Sequence, residues 1–175
     1  MNTVYLALGS NVGDREQNLA RAIDALADRG MRVVKHSALY ETEPIQVRGG
    51  GWFLNAVVQA ETDLLPRQLM RVLLEIERSL GRKRTPAAAG EDGPDSLKDP
   101  RAIDIDILLF GSSVIDTPEL SIPHPRMVER RFVLAPFAEI APQVEHPVLR
   151  QTIAQLLAAA PDRSHVRVWS GKNRR

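Results

Sequence analysis

Arg101-Ala-Ile-Asp-Ile-Asp-Ile-Leu-Leu-Phe110 is the run whose reading decides the fold. β-branched and large apolar residues crowd it, which predicts a strand. Residues two apart on a strand share a face, so Asp104 and Asp106 stand side by side while Ile103, Ile105 and Ile107 point the other way. Two adjacent carboxylates repel, and a fold that keeps both in low dielectric usually sets a cation between them. Oxygen-only ligands suit Mg²⁺, which usually brings phosphate. A solvated edge strand would also show this pattern, and on the segment alone both readings stand.

Upstream, residues 85–100 hold Pro, Ala, Gly, Asp and Ser with hardly an apolar anchor, so they read as a long loop within one domain. Before it, Pro66 opens a helix whose stripe of Leu69, Val72, Leu73, Ile76 and Leu80 runs to Gly81. A strand is expected over residues 53–61, a glycine-rich loop at Arg48-Gly49-Gly50-Gly51, and a strand over 32–42 that stops at Pro44. Asp14 and Gln17 resemble a capping box for a helix over 14–28, and residues 3–9 form the first strand. Downstream, Gly111-Ser112-Ser113 predicts a hairpin into Val114-Ile115, followed by helical pieces over 128–139 and 149–160 and a frayed basic tail over 170–175. The order β, α, β, β, α, β predicts an α+β, ferredoxin-like sandwich: an antiparallel sheet with two helices on one face and extra C-terminal helices. A single domain spans residues 1–175.

Composition narrows the function classes. The 175 residues are 43% hydrophobic and 26% charged, ordinary for a soluble globular domain. A net charge of +1 supplies no bulk attraction for nucleic acid or membrane. The absence of cysteine excludes disulfides, thiolate metal sites and a cysteine nucleophile, and fits a cytoplasmic location. No signal peptide and no bilayer-spanning run is expected.

Arg82, Lys83, Arg84, Lys98 and Arg101 cluster around the long loop, where closure could aim guanidinium groups at phosphate; Lys83 and Lys98 read rather as a solvated basic surface. Gly9-Ser10-Asn11-Val12-Gly13 lacks the lysine and spacing of a phosphate-binding loop and reads as a tight turn. Phe53 and Asn55 share a strand face, a ring and an amide suited to a flat heterocycle or equally to a core edge. His124, between Pro123 and Pro125, is by itself more often structural than catalytic.

Together these pieces resemble the 6-hydroxymethyl-7,8-dihydropterin pyrophosphokinases of folate biosynthesis. The resemblance rests on Tyr5-Leu6-Ala7-Leu8-Gly9-Ser10-Asn11, Tyr40-Glu41-Thr42-Glu43-Pro44, Phe53-Leu54-Asn55-Ala56, Ile76-Glu77 with Gly81-Arg82, Arg101-Ala102-Ile103-Asp104-Ile105-Asp106, Ile122-Pro123-His124-Pro125 and Arg130-Arg131-Phe132. It implies transfer of the pyrophosphoryl group of ATP to the pterin hydroxymethyl group, releasing AMP, by in-line attack with two Mg²⁺ held by Asp104 and Asp106. Arg82 and Arg101 would grip phosphate as catalytic residues, with Arg84 beside them. The pterin would stack between Phe53 and Phe132, read by Asn55 and by the chain near Thr42, Pro44 and Ile45. ATP would engage Glu77, Ile107, Leu120, Ser121, Ile122, His124 and Arg130. The resemblance implies a monomer acting on small molecules, with residues 82–101 as a flexible catalytic loop. Many members carry Trp-Gly-Pro-Arg where this chain has Lys98-Asp99-Pro100-Arg101, so the group covering the pterin, Trp52 or another, stays open.

Two other classes share parts of this pattern. A nucleotidyltransferase pairs Gly-Ser with Asp-x-Asp close in sequence, whereas Gly9-Ser10 and Asp104 lie far apart and on different strands. A ferredoxin-like RNA-binding module would use Phe53 and Phe132 as stacking platforms, but its face would carry Asp104 and Asp106, and aromatics are only 5% of residues.

Overall fold

The computed structural model describes residues 1–44, 51–81 and 101–171. The elements run β1 (Asn2–Ser10), α1 (Arg15–Asp28), β2 (Arg32–His36), β3 (Tyr40–Thr42), β4 (Phe53–Thr62), α2 (Pro66–Ser79), β5 (Asp104–Phe110), β6 (Ile115–Asp116), β7 (Ser121–Ile122), α3 (Arg131–Ile140), α4 (Ile153–Ala159) and β8 (Val166–Val168), with a 3-10 turn at Met127–Glu129. The class is α+β. The main sheet is ordered β5-β1-β4-β3-β8, with β2 also paired to β4, and every pairing is antiparallel.

Local chemistry sets the element ends. Asp14 caps α1 by accepting from Gln17 N at 3.1 Å, and Gly30, at φ +81, ends the turn beyond it. Pro66 occupies the first turn of α2, and the Gln68 side chain accepts from Leu65 N at 2.8 Å. The strand expected over 32–42 is divided because Ser37, which is buried, enters the ladder through its side chain. Its N–H donates to Val57 O at 2.9 Å, and its Oγ accepts from Val57 N at 3.0 Å. β2 and β3 therefore lie end to end along one flank of β4.

The two expected helices, α1 and α2, share one face of the sheet, and the extra C-terminal helices cover the other. Val4, Leu6, Leu8, Leu54, Val58, Ile105 and Ile107 pack with Leu19, Ala22 and Leu26 of α1 and Leu69, Leu73 and Ile76 of α2. The opposite face buries Tyr5 and Val57 beneath Val133, Leu134 and Phe137 of α3 and Ile153 and Leu156 of α4; the Tyr5 and Phe137 rings lie 4.7 Å apart. Alternation left these inward positions open to either partner, and the apolar C-terminal helices fill the second face. Two further corrections follow. Ile115 pairs with Ile122 in a separate two-stranded sheet, so the hairpin joins β6 to β7 and not to β5. β8, which the sequence reading did not anticipate, adds to the β3 edge. Residues 45–50, 82–100 and 172–175, which hold most of the expected glycine-rich loop, catalytic loop and basic tail, lie outside the described residues.

Candidate active site

β5 starts at Asp104, later than the predicted run, because the residues before it are tied elsewhere. Asn11, in the turn after β1, accepts from Arg101 N through Oδ1 at 2.8 Å, and its own N–H donates to Arg101 O at 3.2 Å. Glu77, buried on α2, accepts from Ile105 N through Oε1 at 2.8 Å. The start of β5 is thus anchored from both α1's approach turn and α2. Arg101 then reaches forward: its Nη1 donates to Asp104 Oδ1 at 2.7 Å.

The β1–β5 pairing skips Leu108, and the carbonyl of that bulged residue accepts from His124 N at 3.0 Å. His124 Nδ1 accepts from Arg126 N at 3.1 Å, which assigns the ring proton to Nε2, and Nε2 sits 3.8 Å from Asp106 Oδ2. A bulge in the strand thereby delivers an imidazole to the second aspartate.

Two cavities meet at this pair. The first, about 290 Å³, lies between β1, β4 and the start of α3; Phe53, Asn55, Thr42, Phe132 and Arg130 line it. The second, about 470 Å³, lies beside β5 and α2; Glu77, Arg101, Ile107, Leu120, Ser121 and His124 line it. Asp104 and Asp106 belong to both.

Inside the first cavity, Asn55 Nδ2 donates to Thr42 Oγ1 at 2.8 Å, with both residues buried. Gly9 lies against the Asn55 amide so closely that a Cβ at position 9 would stand 2.9 Å from Asn55 Oδ1. Arg130 is half-buried with its guanidinium 5.7 Å from the Phe132 ring centroid. Burial lowers the Arg130 pKa from its usual value, opposed by the charges of Asp106 and Asp104, and an arginine so lowered still carries its proton at neutral pH.

The expected residues thus fall into two groups, with some exceptions. Arg130, expected on the ATP side, lines the first cavity with Phe132, because α3 starts at Arg131 and carries both against β4. Ile122 is buried in the β6–β7 pair and lines neither cavity; Pro44 is exposed and lines neither. The Trp52 ring lies against the Arg167 guanidinium at 5.2 Å and lines neither cavity. Ile45, Arg82 and Arg84, with Lys83 and Lys98, lie outside the described residues. Sequence reasoning gave no role to Asn11, whose partner is 90 positions away, and missed Arg126 and Glu129, which reach the first cavity from the 3-10 turn and its start, and Asp162. Gly9 and Asp104, far apart in sequence and on different strands as expected, are direct partners in the β1–β5 register. The sheet face that an RNA-binding module would present is instead covered by α3 and α4.

No group of three or more His, Asp or Glu suited to a metal occurs among the described residues. Two carboxylates on one strand face are nevertheless a fitting donor set for Mg²⁺, which binds through one or two carboxylates and completes its shell with water and phosphate oxygens.

The family model for 7,8-dihydro-6-hydroxymethylpterin-pyrophosphokinase (HPPK) matches residues 5–142. A 2-amino-4-hydroxy-6-hydroxymethyldihydropteridine pyrophosphokinase from Bacillus subtilis is 41% identical over 173 residues, covering 98% of this chain and 93% of its own. A folic acid synthesis protein from Pneumocystis carinii is 40% identical over 151 residues, or 86% of this chain, which spans only 19% of that longer protein. Among solved structures, wild-type HPPK-DHPS from Plasmodium falciparum, crystallised with pteroate, superposes with a TM-score of 0.69 at 16% identity, over 90% of this chain and 44% of that one. At that identity the structural likeness speaks for the fold alone.

Proposed function

Because this chain belongs to the 7,8-dihydro-6-hydroxymethylpterin-pyrophosphokinase family, and so transfers pyrophosphate from ATP to 6-hydroxymethyl-7,8-dihydropterin in folate biosynthesis, we propose how its two cavities divide that task. The first cavity takes the pterin and the second takes ATP. The observation that carries this division is that Asp104 and Asp106 form the wall the two cavities share. A hydroxymethyl group entering from one side and a triphosphate from the other meet only there.

In the pterin cavity, Phe53 and Phe132 offer rings for stacking. Asn55, its amide orientation set by the bond to Thr42, presents Oδ1 to the heterocycle edge. In the ATP cavity, His124, Ile107, Leu120 and Ser121 surround the nucleotide, and Arg101 faces the phosphates. Glu77 acts on the nucleotide side chiefly by holding Ile105, since its carboxylate is buried. Arg82, Arg84, Ile45 and Pro44 keep their expected roles as part of the proposal, as does closure of residues 82–101.

The reaction is a direct displacement. The hydroxymethyl oxygen bonds to the β-phosphorus, the bond from that phosphorus to the α,β-bridging oxygen breaks, AMP departs with that oxygen, and the hydroxyl proton is released to water. Two Mg²⁺ held by Asp104 and Asp106 would neutralise charge on the entering and leaving oxygens. Arg101 keeps Asp104 oriented, and His124 does so for Asp106. Arg130, charged and half-buried beside both aspartates, adds positive potential on the pterin side.

The sheet order β5-β1-β4-β3, with β2 and β3 counted as one broken strand, supports the ferredoxin-like reading over a single domain of residues 1–175. The same proposal takes the enzyme as a cytoplasmic monomer that acts on small molecules and binds no nucleic acid. No helix among the described residues is long and apolar enough to cross a membrane.

The test is the nucleotide product. With ATP, Mg²⁺ and the reduced pterin the enzyme should form AMP and pterin diphosphate, and omission of either pterin or Mg²⁺ should stop turnover. Formation of ADP, or equal turnover without pterin, would overturn the division of the cavities.

A further inference from the structure

The chain's two tryptophans, Trp52 and Trp169, both sit outside the cavities, and each carries an arginine on its face. Arg167 lies 5.2 Å from the Trp52 ring centroid and Arg15 lies 5.0 Å from that of Trp169. The two arginines converge on Glu41 of β3, whose side chain is only 7% exposed. Arg15 Nη2 donates to Glu41 Oε1 at 3.1 Å, while Arg167 Nε and Nη2 donate to Oε2 at 3.1 and 2.5 Å. Burial pushes the Glu41 carboxyl up, but the hydrogen bonds from Arg167 and Arg15 outweigh it and hold the group below its usual value. Arg15 also donates to the carbonyl of Trp52, the residue just before Phe53, and Trp169 Nε1 donates to Glu16.

The segment that carries Arg167 and Trp169 is tied to the other wall of the pterin cavity as well. Asp162, which lines that cavity, accepts from Arg131 N through Oδ2 at 2.9 Å, at the first residue of α3 and next to Phe132. His165 N then donates to Glu43 Oε1 at 2.7 Å, and Thr42 pairs with Val166 and Tyr40 with Val168. One stretch, residues 162–169, thus grips the helix bearing Phe132 at one end and, through Arg167 on Trp52 and Glu41, the start of the strand bearing Phe53 at the other.

We propose that residues 162–169 are a positioning strap for the pterin, setting the separation of the Phe53 and Phe132 walls. Arg167 and Trp169 are its positioning residues and touch no substrate. Among the described residues, Asp162 lines the pterin cavity and none of 162–169 lines the ATP cavity, so the strap governs pterin affinity and leaves nucleotide affinity alone. This rests on the reading that the first cavity holds the pterin.

The experiment compares Arg167→Ala, Arg167→Lys and Trp169→Leu in the full chain, with Asn55→Ala as a probe of the cavity itself. KM is measured for pterin and for ATP, with equilibrium binding of the reduced pterin followed by tryptophan fluorescence; in Trp169→Leu, Trp52 is the single reporter. Arg167→Ala should raise the pterin KM and Kd by about tenfold, the order expected for a lost charged hydrogen bond that is partly exposed, with the ATP KM unchanged. Arg167→Lys should recover part of the loss, since a lone ammonium keeps charge without the two-pronged grip. Trp169→Leu should weaken pterin binding in the same selective way. If Asn55→Ala weakens pterin binding and none of the strap variants does, the strap is overturned and the cavity reading stands. If Asn55→Ala also leaves the pterin untouched, the cavity reading falls and the strap with it. Equal rises in both KM values would show a merely structural segment and overturn the proposal.

Discussion

Asn11 holds Arg101 through both of its backbone groups, accepting from its N–H at 2.8 Å and donating to its carbonyl at 3.2 Å. The arginine that meets Asp104 is therefore aimed by a residue in the turn after β1. Asn11→Ala removes the first of these bonds and leaves the Arg101 backbone held through its carbonyl alone. The expected result is a fall in kcat of about tenfold, with smaller changes in KM, and a stability loss of about 0.5–1.5 kcal/mol, the net worth of one part-buried hydrogen bond. Steady-state kinetics and a thermal melt check it; an unchanged kcat would remove Asn11 from the site.

Gly9→Ala would place a methyl group 2.9 Å from Asn55 Oδ1, and the bond from Asn55 Nδ2 to Thr42 leaves that amide little room to retreat. The pterin KM should rise by about tenfold while the ATP KM stays constant, because only the first cavity is disturbed. Parallel titrations of the two substrates separate the outcomes, and a shift in the ATP KM alone would contradict the placement.

Glu77→Ala removes the acceptor for Ile105 N inside the core. The midpoint of denaturant unfolding should fall by the equivalent of about 1–3 kcal/mol, whereas Glu77→Gln, which keeps a carbonyl oxygen there, should lose less. Equal losses in the two variants would mean that the acceptor is not what matters.

Asp104→Asn and Asp106→Asn should each reduce turnover by orders of magnitude while the melting temperature changes little. Both side chains are partly exposed, and the Arg101–Asp104 ion pair in such a setting contributes only about 0–1 kcal/mol to stability. Near-normal turnover at saturating Mg²⁺ in either variant would rule out its metal role.

His146 supplies a pH dependence remote from the chemistry. Burial pushes its pKa below the ordinary 6.5, and its Nδ1 accepts from Val148 N at 3.3 Å and Leu149 N at 3.2 Å, which requires the neutral ring. The unfolded chain takes up the proton first as pH falls, so this contribution to stability is present above about pH 6.5 and declines below it. His146→Asn, which keeps an acceptor that does not titrate in that range, should flatten the decline in melts run between about pH 7.5 and 5.5.

Periodicity and breaker residues made α1, α2, β1, β4 and β5 legible, since Asp14, Pro66 and the alternation about Asp104 each act within a few positions. What stayed hidden depends on partners brought together only by folding. Ser37 ends β2 because Val57 faces it, a relationship with no local signature. β8 forms because Glu41 and Glu43 await it on the β3 edge, and a three-residue strand with mixed exposure leaves almost no period to read. Within the site, the aspartates, Phe53, Asn55 and His124 were recognisable as motif residues. Asn11 stood in a motif without a role and Asp162 in none, because each acts through the backbone groups of distant residues.

The wall shared by the two cavities has a thermodynamic consequence. The charges of Asp104 and Asp106 face both cavities, so a substrate that alters their electrostatic environment from one side is felt from the other. By linkage, the factor by which bound nucleotide tightens the pterin must equal the factor by which bound pterin tightens the nucleotide, whichever arrives first. One β-strand thus offers the two substrates a common electrostatic route for coupling.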